Sequence, residues 1–80
     1  MTDERFIPED AYVLVSQGFV IGWFLSKETA LMEAAKSNDN WHKYKQRCLD
    51  NHEPYADNAV YVYYRGEMIA NPWGEVKSDV

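Results

Sequence analysis

Strand-like alternation marks two segments of this chain, and a helical period marks the segment between them. Residues 11–26, AYVLVSQGFVIGWFLS, are two runs rich in Val, Tyr, Ile, Phe and Trp around Gln17-Gly18. That is the composition of a β-hairpin whose tight turn uses a glycine at positive φ. A two-residue turn there sets Val15 opposite Val20, Leu14 opposite Ile21 and Tyr12 opposite Trp23. Residues 58–72, NAVYVYYRGEMIANP, repeat the design around Arg65-Gly66, with Tyr63 opposite Met68, Val62 opposite Ile69 and Tyr61 opposite Ala70. Superposed on the turn glycines, Ala11, Gly18 and Ile21 coincide with Ala59, Gly66 and Ile69. These matches are explained as well by shared hairpin rules as by duplication.

Between the hairpins, Ser26 suits a helix N-cap and Glu28 suits the first turn. Ala30, Leu31, Ala34 and Ala35 form one apolar stripe, and Trp41, Tyr44, Cys48 and Leu49 form a second. The two stripes are in phase. SNDN (37–40), however, is made of poor helix formers, and Asp39 suits the cap of a new helix. Residues 27–51 as one helix would run about 37 Å, against about 20–24 Å for strands of six or seven residues. The mismatch predicts a break or kink near Asn38. Pro54 ends the helical region, and residues 71–74 turn. Residues 1–10 read as a loose acidic arm anchored by Phe6 and Ile7, and residues 75–80 as a polar tail. The predicted order is β-β-α(-α)-β-β in a single domain over residues 1–80. The fold class is α+β: a four-stranded antiparallel sheet with one long kinked or two short helices on one face.

Both faces of both hairpins are apolar, whereas a one-sided antiparallel sheet alternates apolar with polar. In the first hairpin, one face carries Tyr12, Leu14, Phe19, Ile21 and Trp23, and the other carries Val13, Val15, Val20 and Phe24. In the second, Val60, Val62, Ile69 and Tyr64 share one face, and Tyr61, Tyr63 and Met68 the other. One helical layer covers one face. The arm, the tail, a second copy or a partner must cover the other, since large exposed apolar patches are rare on monomers.

Charge and cysteine content narrow the classes. A net charge of -5 over 80 residues disfavours nucleic acid and anionic membrane as partners. The single cysteine fits a reducing compartment. The N-terminus lacks the apolar core of a signal peptide, and no apolar run is long enough to span a bilayer, so a cytoplasmic location is expected.

The residues NWHKYKQRC (40–48) most resemble a site. Helical phase divides them. Trp41, Tyr44 and Cys48 face inward, Lys43, Gln46 and Arg47 face water, and Lys45 lays its stem along the core edge. Cys48 and His52, at i and i+4, supply part of a nucleophilic or metal site. Neither has the third group or the ligand spacing such chemistry needs. The acids of 50–57 lack a calcium loop's pattern, and the glycines are isolated rather than phosphate-cradling. No cofactor is expected.

The sequence therefore reads as a small intracellular interaction module, regulatory or inhibitory, and not an enzyme. It would bind a protein partner or itself through an aromatic sheet face. The candidate residues are Tyr12, Trp23, Tyr61, Tyr63 and Met68, with Lys43 and Arg47 as a positive stripe. Two alternatives stand beside it. One is a single-stranded nucleic-acid binder using the sheet tyrosines and the basic helix. The other is a small enzyme or metal protein using Cys48 and His52.

Overall fold

The computed structural model of the chain describes residues 7–76. Two hairpins flank one helix: β1 (Tyr12–Ser16), β2 (Phe19–Phe24), α1 (Lys27–Asp50), β3 (Tyr61–Tyr64) and β4 (Glu67–Ala70). The strands form one antiparallel sheet in the order β2-β1-β3-β4. The helix packs across β1, β2 and β3. Leu14, Val62, Ile69 and Ala70 of the sheet, with Val60 just before β3, pack with Ala30 and Ala34 of the helix, and Tyr12, Phe24, Leu31 and Tyr64 lie around them. Small alanines on the helix let it lie close to the sheet. The segments expected to be an acidic arm and a polar tail lie partly outside the described residues. Within them, Arg65 donates to Asp10 at 2.7 Å, a bond that raises the guanidinium pKa.

The helix starts where its cap predicts, with Ser26 Oγ accepting from the Thr29 N–H at 3.3 Å. It then runs unbroken for 24 residues, so the break expected near Asn38 is not there. Asn38 is buried, and its amide grips the backbone of Val60 twice. Nδ2 donates to the Val60 carbonyl at 2.9 Å, and Oδ1 accepts from the Val60 N–H at 2.7 Å. A residue that is a poor helix former is held in the helix by acting as a strand partner. The overhang beyond the sheet is also resolved. Residues 51–60 fold back beneath the second half of the helix, where Trp41 Nε1 donates to the Ala56 carbonyl at 2.8 Å and the Ala56 N–H donates to Tyr44 Oη at 3.2 Å. Leu49 and Ala35, expected on the inner stripe, are exposed instead. The helix ends with the Glu53 N–H bonded to the Cys48 carbonyl and the His52 N–H to the Leu49 carbonyl. This closure puts His52 at φ 57°, a position that favours glycine.

Both turns have the predicted two-residue form. Gln17 and Gly18 have φ of 55° and 81°, and Arg65 and Gly66 have 52° and 81°, the mirror-image turn that matches strand twist. The register departs from expectation beyond each turn. Val15 faces Val20, but Leu14 faces Gly22, leaving Ile21 as an extra residue. Tyr63 faces Met68, but Val62 faces Ala70, leaving Ile69 extra. A bulge shifts everything beyond it to the other face. Tyr12 therefore pairs with Phe24 rather than Trp23, and Trp23 pairs with Val13. Tyr12 lies on the helix side, stacked on Tyr64 at 4.4 Å between ring centres.

The hairpins are related by an internal two-fold axis through the sheet at the Leu14–Val62 pair. About this axis, β1 pairs with β3 symmetrically, Val13 with Tyr63 and Val15 with Tyr61. Both bulges fall at equivalent places. Ala11 and Ala59 are both buried. The relation extends to side chains: Gln17 reaches Asn58 at 2.6 Å, and Arg65 reaches Asp10 at 2.7 Å, equivalent bonds from turn to opposite hairpin.

Candidate functional site

Strand alternation and the two bulges build one continuous row across the side of the sheet away from the helix. In register it reads Trp23, Val13, Tyr63, Met68. A second row below it reads Val20, Val15, Tyr61. None of these side chains is charged. All are half-buried except Met68, which is exposed, whereas Leu14 and Val62 on the helix side are buried. No described element packs on this face. Four strands at about 4.8 Å and five residues at about 3.4 Å give roughly 19 by 17 Å of apolar surface.

Of the residues predicted as a site, the fold brings together Trp23, Tyr61, Tyr63 and Met68. Tyr61 stands at the lower margin, where it also lines a cleft with Trp41, Lys45, Tyr55 and Trp73. Tyr12 is on the opposite, covered face. Lys43 and Arg47 lie on the outer surface of the helix, across the sheet from the tyrosines. Lys43 pairs there with Asp39 at 3.1 Å. The basic residues and the aromatic platform thus do not share a surface. Lys45 is engaged with rings, its Nζ 5.1 Å from the Trp41 ring centre and 5.5 Å from that of Tyr55. Val13, at the middle of the upper row, was missed as a site residue. The signal that points to it is Gly22, since a glycine inside a strand often marks a bulge.

Two other places, the Cys48–His52 end of the helix and one cleft, lack the groups a site needs. Cys48 is buried, His52 is exposed at the helix end, and among the described residues no three His, Cys, Asp or Glu side chains group as a metal ion requires. A cleft of about 550 Å³ separates the helix from residues 70–76, lined by Leu31, Ala34, His42, Val62, Pro72 and Trp73 among others. Its size suits a small ligand. Its polar groups are already occupied, though: Asn38 holds Val60, His42 Nε2 lies 2.9 Å from the Pro72 carbonyl, and Asp39 holds Lys43. Nothing polar converges on the space.

Among the described residues no helix is long and apolar enough to cross a membrane. In comparisons with known proteins, the chain matches no family model, no curated protein and no solved structure.

Proposed function

We propose that this chain is a small intracellular protein-interaction module, regulatory or inhibitory in action, whose working surface is the sheet face opposite the helix. The observation that carries the reading is the uncharged row Trp23, Val13, Tyr63, Met68, in register across all four strands. Apolar surface of this continuity is stabilised by being covered, and Trp, Tyr and Met are the side chains that interfaces concentrate. With no charge on the face, the complementary surface is apolar too. Charge steering would come from its rim, where Asp10 and Arg65 stand. The projected area of roughly 320 Å² is well under the about 800 Å² per partner of a stable interface. A complex through this face alone would therefore be transient.

A photo-crosslinking amino acid placed at Tyr63 and, separately, at Lys43 tests the proposal in the source cells. A discrete protein adduct from position 63, absent from position 43, supports it. Adducts from position 43 alone, or equal smears from both, refute it.

A further inference from the structure

The two outer edges of the sheet are equivalent by the internal two-fold, yet among the described residues one carries a returning segment and the other carries none. In each hairpin, the residues flanking the two-residue turn bond to each other, Ser16 with Phe19 and Tyr64 with Glu67. The next residue out then turns its N–H and C=O away from the partner strand. The following outward residue would normally come two positions later. The bulge delays it by one, so the residues with both N–H and C=O outward are Val20 and Trp23 on β2, and Met68 and Asn71 on β4, with the carbonyls of the extra residues Ile21 and Ile69 also turned outward. The β4 edge confirms the direction: the Asn71 N–H points outward and donates to the Glu75 carbonyl at 3.1 Å, beside a bridge between Ala70 and Val76. The chain closes the Asn71 end of its own β4 edge. On β2, nothing among the described residues takes the equivalent group of Trp23.

This open edge lacks most of the usual protection. The strand reads FVIGWF with no charge and no proline, and Phe19 and Ile21 are 71% and 55% exposed. β4 begins with Glu67. Natural edges are guarded by charge, proline, bulges or cover, and β2 has only its bulge. That bulge also selects the partner. An ordinary strand presents outward groups every second residue and falls out of step with groups three apart. A strand with the same bulge stays in step.

We infer that β2 pairs antiparallel with β2 of a second copy of this chain, Val20 of each opposite Trp23 of the other. The two-fold closes the assembly at a dimer. Pairing β2 to β4 of the next copy would propagate as a filament, and the Asn71–Glu75 bond at the end of β4 opposes it. The dimer joins two four-stranded sheets edge to edge and roughly doubles the open face. The pairing rests on backbone geometry and stands whether or not the face binds a partner.

Sedimentation equilibrium over a wide concentration series, with hydrogen exchange on the same samples, tests this. The expected result is a mass rising from 9.4 kDa towards twice that, with exchange at the Val20 and Trp23 amides slowing as the dimer forms. The Asn71 amide should be protected at every concentration. Ile21→Lys, and independently Phe19→Lys, places a charge on the edge and should return the mass to monomer with the fold intact by circular dichroism. Tyr63→Lys, on the face, should leave the dimer in place. A monomer at all concentrations overturns the inference. So does a Trp23 amide protected independently of concentration, which means the chain covers its own edge. A dimer that survives both edge variants but dissociates with Tyr63→Lys also overturns it, while favouring pairing through the face.

Discussion

Replacing Asn38 by Ala removes the side chain that bonds the helix to the backbone of Val60, just before β3. Val60 is 3% exposed and Asn38 6%, so water does not easily replace the lost amide. Two backbone groups of Val60 lose their partners, and a buried group left unsatisfied costs about 1–3 kcal/mol. Alanine is the better helix former by roughly 0.6 kcal/mol, which offsets part of this. The net loss should be about 2–5 kcal/mol. A domain of this length holds about 4–12 kcal/mol in all, so the variant loses between about a sixth and all of its stability. The midpoint of thermal unfolding should fall by at least about 8 °C, at about 4–8 °C per kcal/mol. The measurement is urea unfolding followed by circular dichroism, with an unchanged slope showing that the compactness of neither state has moved. Asn40→Ala is the control. Asn40 is exposed on the same helix, so its change reports propensity alone and should stabilise slightly. If Asn38→Ala costs less than about 1 kcal/mol, the amide pairing is not what holds the helix through SNDN, and the account of its continuity fails.

Other outcomes follow from single positions. His52→Gly should stabilise by about 0.5–1 kcal/mol in urea unfolding, because His52 sits at φ 57° where a β-carbon is unfavourable. Gly18→Ala and Gly66→Ala should each destabilise by about 1 kcal/mol by the same assay, and by similar amounts, since both glycines have φ 81° in equivalent turns. Lys45→Gln should cost about 0.5–1 kcal/mol and alter tryptophan fluorescence, as the ammonium leaves the Trp41 and Tyr55 rings. Trp23→Asn, which copies the equivalent Asn71, should reduce crosslinking from position 63, since the indole leaves the row on the face.

The features legible in the sequence were the local ones. Gln17-Gly18 and Arg65-Gly66 announce their turns because positive φ is a property of one or two residues, and Ser26 announces its cap because the bond it makes is three residues long. Helix continuity was not legible. SNDN looks like a break by propensity, but Asn38 finds its partner at Val60, 22 positions away, and a tertiary bond outweighs a few tenths of a kcal/mol of preference. Helix length was illegible for a related reason: the strands alone are too short to underlie the helix, but the loop 51–60 supplies the surface under Trp41 and Tyr44. Register beyond the turns was lost because a bulge depends on both strands. Leu14 opposite Gly22 is visible in neither run separately. One missed residue at Ile21 put Tyr12 in the site and left Val13 out.

The internal two-fold makes the functional reading more specific than an apolar face would be by itself. A sheet of two equivalent hairpins has two equivalent edges and, before any helix is added, two similar faces. The chain breaks this equivalence in few places. The helix covers one face, residues 71–76 close one edge, and Trp23 stands where the other hairpin has Asn71. Among the described residues, the first two breaks leave one face and one edge uncovered, and the third lies where they meet. Trp23 contributes its indole to the row on the face and its N–H and C=O to the edge. In the equivalent position, Asn71 turns its side chain back to accept from the Trp73 and Glu75 N–H groups and so builds the closure that β2 lacks. An asparagine there folds the chain onto its own edge. A tryptophan does not, because an indole has no acceptor to offer backbone N–H groups. The same substitution that widens the apolar face therefore also keeps the edge open, and both surfaces favour contact with another chain.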